Sequence, residues 1–445
     1  MDPTVMAFLV AAIIIILGFL GEEFFNRTSI PDAIFLLLLG LMLGPIFQFF
    51  VQEELLAIAP YFAALALIII LFDAGLNMDI HEAIASSPRA TVLAVLGWGL
   101  NLLVTAVLCK LMLGWRFLDG LLLGSIIGGT SSIIVVALIR KLKVGEKIET
   151  TLSIESVLTD VLCTVGAFTA IKILLSGEVS IGVALSSVVT AFGLGGLVGL
   201  GFGVAWLILL EKLKDKPHAY MLTLAMLLLT YVITSNLGGN GAVSALFFGL
   251  VIGNSRPIGR LFKFRCTVSI DENVRNFHCQ ISFLIRDFFF VFTGLLFNVS
   301  SPMSLFFGLF LTLIFLGTRF VAVKISAFKS ELHNHELLMT IMLPRGLAAA
   351  VLASLPLTML GSSYQIFPEI AFIVILTTII VCTIGVVLFK KRRNHRSATK
   401  YNFQSSSTLL KRGSRYLLSN LVINKYAEDV TFCQVTFNAA NYNLS

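Results

Sequence analysis

Charge is what this chain has least of. Of its 445 residues, 13% are Asp, Glu, Lys or Arg, while 57% are hydrophobic. A soluble domain covers its surface with about a quarter charged residues, so a water-facing globule is excluded. Cysteine and histidine are scarce too, at six each. Cys109, Cys163, Cys266, Cys279, Cys382 and Cys433 show no metal-ligand spacing and read as small packing residues in or beside apolar runs. No nucleotide-binding fingerprint occurs, and no cofactor or enzymatic activity is expected. The first apolar run, about residues 5–20, has no basic leader before it and is expected to be a retained span.

What is abundant is long apolar sequence. Mean hydropathy is +0.94, and runs of roughly 18–25 residues recur, enough to cross a hydrocarbon core of about 30 Å. The chain therefore reads as an all-α polytopic membrane protein in contact with a lipid bilayer. The hydropathy pattern predicts about thirteen spans, at 4–21, 31–50, 56–76, 90–113, 117–139, 150–175, 180–210, 218–235, 241–253, 281–298, 303–328, 336–357 and 367–389.

Basic residues orient the stack. "RKLKVGEKIE" follows the fifth span, "EKLKDKPH" the seventh and "KKRRNHR" the last, and Arg256, Arg260, Lys263, Arg265 and Arg275 follow the ninth. Connections after even-numbered spans hold almost no Lys or Arg, Arg116 excepted. The positive-inside rule then places the N-terminus outside and the C-terminus in the cytoplasm; a cytoplasmic-type membrane is the expected location. Topology accounts for the net charge of +7 without nucleic-acid binding. Residues 1–389 are read as one transmembrane domain, and 390–445 as a polar cytoplasmic tail, mostly disordered or regulatory. Asn298-Val299-Ser300 forms a glycosylation sequon on an outward connection.

A few polar groups lie inside the apolar runs, where a central Asp costs about 2.5–3.5 kcal/mol on insertion scales. In "LSIESVLTDVLCTVG", Asp160 sits near mid-span with Ser156 one helical turn before it. Both offer oxygen ligands to a hard cation. Glu155 points about 140° away from Asp160 and shares its face with Thr159. The fifth span is interrupted by Gly128, Gly129, Thr130, Ser131 and Ser132, and the twelfth by Pro344, Arg345 and Gly346. Both helices are predicted to break near mid-membrane. Their matching positions in two halves point to inverted repeats around a transport site, with the seventh span as linker. Arg345 needs a counter-ion, and Glu155 is the expected partner, leaving Asp160 free to titrate. Asp73 lies inside the third run. Arg319 and Arg286 are read as snorkelling or topological residues.

The ordered set "LFDAGLNMD", "GGTSSIIVV", "ESVLTDV", "NGAVSALFFGLVIGN", "RDFFFVFTGLLFNVS" and "LPRGLAAAVLA" resembles the cation:proton antiporters, most closely the thirteen-span NhaP-like sodium/proton exchangers. The resemblance covers about residues 5–389. It implies that Asp160 alternately binds cation and proton, that Glu155 and Arg345 form a structural ion pair, and that Ser156 and Thr130 ligate the ion. It also implies a further acid at Asp73, a core around spans five, six and twelve, a scaffold elsewhere, and a homodimer. Three positions depart from the family pattern: Thr159 replaces the common Asn, Thr130-Ser131-Ser132 replaces Thr-Asp-Pro, and Asp73 replaces Glu. The expected activity is electroneutral one-for-one Na⁺/H⁺ exchange. K⁺/H⁺ antiport is the alternative within the class, and a sodium-coupled organic anion symporter or a cation channel lies outside it.

Overall fold

A computed structural model describes residues 3–28, 30–49, 52–177, 181–213, 219–261, 272–297 and 302–411. Among these residues no strand occurs, as a backbone without water to bond requires. The first half comprises α1 (Pro3–Thr28), α2 (Ala33–Leu41, continued by a π-turn), α3 (Gln52–Asn77) and α4 (Ile80–Met112). It continues through α5 (Phe117–Ile127), α6 (Ser132–Leu142), α7 (Glu146–Ser176) and α8 (Ile181–Leu213). The second half contains α9 (Ala219–Asn236), α10 (Gly241–Gly253), α11 (Ser255–Leu261) and α12 (Glu272–Leu295). It ends with α13 (Pro302–Ala327), α14 (Glu336–Ile341), α15 (Leu347–Leu360) and α16 (Ile366–Lys411).

Eight segments among the described residues are long and apolar enough to cross a bilayer, the α5–α6 pair counting as one; four shorter apolar helices accompany them. The chain divides into two units, Met1–Val386 and Val387–Ser445. Within the second unit the described residues are helical to Lys411, past the boundary expected at 389. No Pro or Gly falls between 390 and 411 to stop the helix. The strand-like "DVTFCQVTF", Cys266, Cys433 and the 298–300 sequon lie outside the described residues.

Two packing regions position the site. In one, α3, α8, α9 and α10 share an apolar core of Ile68, Phe72, Leu76, Trp206, Leu210, Leu227, Phe248 and Val251. Here α10 approaches α3 so closely that a Cβ on Gly249 would collide with the Phe72 carbonyl. In the other, α7 is buried along most of its length and packs against α4, α5, α6 and α15. Cys109, Cys163 and Cys382 are free and buried, as expected of packing residues, whereas Cys279 is exposed.

Candidate ion site

The two predicted breaks are present and touch. Between α5 and α6, residues 128–131 leave the helix; between α14 and α15, residues 342–346 do the same. The Ser131 N–H donates to the Pro344 carbonyl at 2.8 Å, joining the breaks main chain to main chain. A Cβ on Gly346 would collide with the Ser131 hydroxyl, so this crossing requires glycine.

A helix C-terminus leaves carbonyls without donors. At the end of α5, the Gly128 carbonyl accepts from Asn101 Nδ2 at 2.8 Å and from Arg345 Nη1 at 2.9 Å. The same guanidinium nitrogen also donates to the Gly129 carbonyl. Asn101 is fixed in turn by the Thr318 hydroxyl, 2.5 Å from its Oδ1. The Arg345 main-chain N–H donates to Thr378 Oγ1 at 3.0 Å, and its guanidinium lies 4.7 Å from the centre of the Phe315 ring. Arg345 is thus a cap on the negative end of a half-helix.

This corrects the expected Glu155–Arg345 pair. Arg319 on α13 holds Glu155 at two points, Nη1 to Oε1 at 2.7 Å and Nη2 to Oε2 at 3.1 Å. Its Nε donates to the Met339 carbonyl at 3.1 Å. Both side chains are buried, at 4% and 1% exposure, so Arg319 does not snorkel. A desolvated pair persists only with such geometry. Arg345 is turned to the carbonyls because it lies in the extended break, whereas Arg319 projects from a helix. Arg286 likewise is a partnered residue, bound to Asp32 at 2.9 Å and Asp287 at 3.0 Å.

The Thr130 hydroxyl donates to Glu155 Oε1 at 3.0 Å, and the Thr130 N–H to Thr159 Oγ1 at 3.1 Å. Thr159 Oγ1 donates to the Ser156 carbonyl at 2.9 Å. Thr130, Thr159, Glu155 and Arg319 therefore form one network. Asp160 has a different neighbour: Ser132, the first residue of α6, donates its hydroxyl to Oδ2 at 2.8 Å. The carboxylate thereby lies at the N-terminus of α6, the positive end of a half-helix.

The expected ligands separate accordingly. Ser132, read only as part of a break, contacts Asp160. Ser156 turns away, its hydroxyl donating to the Ser153 carbonyl of its own helix at 3.0 Å. Half-buried Asp73 accepts from Asn77 Nδ2 at 3.1 Å. Asn101, Thr318 and Arg319 were missed as site residues. Their signal was a lone amide and a mid-helix guanidinium in otherwise apolar runs.

Two cavities lie along α6 and α7, and neither has Asp160 in its lining. One, of about 470 Å³, lies between α6 and the α1, α2 and α12 helices, lined by Ile133, Ile134, Ala137, Asp32 and Arg286 among others. The other, of about 360 Å³, lies beside the far part of α7, with Phe168, Lys172, Tyr231 and Asn240 in its walls. Asp160 itself is 5% exposed.

Crossed half-helices beside buried acids, in an all-helical bundle with many apolar spans, define an integral membrane protein of the antiporter fold. Residues 8–391 match the family model described as sodium/hydrogen exchanger, transmembrane, and the chain belongs to that family. The fold is similar to that of the sodium proton antiporter MjNhaP1 from Methanocaldococcus jannaschii, with a TM-score of 0.71 and 24% identity. That likeness covers 87% of this chain and 96% of the other. In sequence the chain is 28% identical over 382 residues to the K⁺/H⁺ antiporter NhaP2 of Shewanella sp. (strain ANA-3). The match covers 84% of this chain but 64% of the relative's length. It is 33% identical over 186 residues to the Na⁺/H⁺ antiporter NhaS2 of Synechocystis sp. (strain ATCC 27184 / PCC 6803 / Kazusa), covering 42% of this chain and 34% of that one.

Proposed function

We propose that this chain exchanges a monovalent cation for a proton, with Asp160 holding each in turn. The observation that carries this reading is the contrast on α7. Glu155 is neutralised at two points by Arg319, while the side-chain partner of Asp160 among the described residues is the hydroxyl of Ser132. A cation can replace that weak partner; it cannot replace a two-point guanidinium.

A proton or a cation on Asp160 removes most of the site's charge, and an empty carboxylate does not. Only a loaded site then crosses the low-dielectric barrier, which couples the fluxes. One exchangeable carboxylate gives one-for-one, electroneutral exchange. Ser132 Oγ and the carbonyl of Thr130, in the same break, supply oxygen ligands suited to a hard cation. The cavities beside α6 and beside the far part of α7 support access from two sides, with the crossing moving against the α1–α3 and α8–α12 helices. The protein acts as a homodimer in a cytoplasmic-type membrane, with its basic loops on the cytoplasmic side.

Na⁺ is the first substrate, on the motif set and the family. K⁺ is the second reading, favoured by the match over 382 residues to relatives named K⁺/H⁺ antiporters. Full-length protein in vesicles carrying an imposed pH gradient tests both. Na⁺ and Li⁺ are expected to collapse the gradient at lower concentrations than K⁺, unaffected by a clamped voltage. A response to K⁺ alone moves the assignment to the second reading. No cation response, or resolved unitary currents, overturns exchange altogether.

A further inference from the structure

A concavity of about 720 Å³ lies away from the ion site, lined by Arg89, Lys147, Phe328, Lys329, Ser330, Glu331 and His333. Its basic side chains come from three separate segments: Arg89 from α4, Lys147 from the first turn of α7, and Lys329 and His333 from the connection after α13. Glu331 is the acid in this wall, bonded to Lys147 at 2.9 Å. Glu336, just outside the lining, bonds His333 at 2.7 Å, so Arg89, Lys147 and Lys329 face two carboxylates.

Basic residues on this face have a topological reason to be there. Scattered cations would need no ligand, but these converge, and their supports are built. Arg89 Nη1 reaches the Ser326 and Phe328 carbonyls, each at 3.4 Å, and the Ser326 hydroxyl returns a bond to the Arg89 carbonyl at 2.9 Å. The guanidinium is thus held at the end of α13. Lys329 takes a φ of +51°, the left-handed region that a side chain seldom adopts, and its ammonium lies 5.4 Å from the centre of the Phe328 ring. The backbone there is bent to form the pocket wall.

We infer that this concavity binds a phosphate-bearing anion, either the headgroup of an acidic lipid or a free pyrophosphate-type ion. Phosphate offers several acceptor oxygens to guanidinium and ammonium donors at once, which a single carboxylate does not. The Lys147–Glu331 bar does not block it. Lys147 is 59% exposed and Glu331 81%, and an exposed pair contributes little net stability. An incoming dianion displaces Glu331 and is left bridging α4, α7 and the end of α13. Those three helices carry Asn101, Glu155, and Thr318 with Arg319. The anion ties their ends together and stabilises the bundle that holds the site.

Thermal unfolding of the purified full chain in neutral detergent tests this independently of transport. Short-chain phosphatidic acid and inorganic pyrophosphate are titrated, with phosphatidylcholine as control. A saturable rise in unfolding temperature is expected. The Lys147→Gln/Lys329→Gln double variant should need at least ~10-fold more anion, as losing two charge-assisted contacts requires. Arg256→Gln/Arg260→Gln, which removes equal charge from α11, should leave the midpoint unchanged. A response to phosphatidic acid alone assigns the site to a lipid headgroup, and a response to pyrophosphate as well assigns it to the phosphate group itself. Absence of saturable stabilisation by either, or equal weakening in the two double variants, overturns the inference.

Discussion

Glu155 and Asp160 lie five residues apart on one helix, both buried, and their surroundings could hardly differ more. Glu155 takes both terminal nitrogens of a guanidinium and the hydroxyl of Thr130. Asp160 has Ser132, at the start of a half-helix. The rotation between them, about 140° along an α-helix, turns one acid toward α13 and Thr130 and the other toward the first residue of α6. A compensated carboxylate holds structure together; an undercompensated one is available for exchange. On the proposed function the two acids divide stability and transport between them, and each can be probed separately.

The largest effect is expected from Asp160→Asn, which should bring cation-driven proton flux in vesicles to background while the unfolding temperature changes little. Retained flux would remove the distinction between the acids. On the other face, Arg319→Leu strands the Glu155 charge and should cost about 3–5 kcal/mol of stability. Glu155→Leu combined with Arg319→Leu should recover most of that loss in thermal unfolding, because the desolvated pair is replaced by apolar packing. Gly346→Ala drives a methyl into the Ser131 hydroxyl and should cost about 1–3 kcal/mol, with slower exchange. Ser132→Ala removes a bond worth about 1 kcal/mol and should weaken apparent cation affinity roughly 3- to 10-fold at unchanged maximal rate. The smallest effect is expected from Ser156→Ala, under about twofold, since its hydroxyl already serves its own helix. A larger change there would return Ser156 to the ligand set.

The features legible in the sequence were those with local causes. Pro344 cannot donate a helix bond and Gly128-Gly129 loosens the backbone, so the breaks could be placed to within a residue or two. Thr159 was put on the Glu155 face by spacing alone, and there it bonds Thr130. The partner of Glu155 was not legible. Three arginines fall inside the predicted spans, Arg286, Arg319 and Arg345, and which of them meets Glu155 depends on how α13 is rotated against α7, which no local spacing records. Depth was the overlooked clue. Arg319 lies eight residues from the end of α13 at Ala327, about 12 Å at 1.5 Å per residue. That is a long way for a snorkelling side chain. The Asn101–Gly128 bond was hidden for the same reason, because it spans two helices and a connection.

The Glu155–Arg319 bond joins residues 164 positions apart. A ribosome adding roughly 5–20 residues per second delivers the acid on the order of ten to thirty seconds before the base. For that interval a nascent chain holds a carboxylate with no guanidinium to meet it, and α5 ends in carbonyls that Arg345 has yet to reach. The candidate ion site is therefore among the last features to be completed during synthesis, and a message cut short before α13 would yield a stranded charge in a partial bundle.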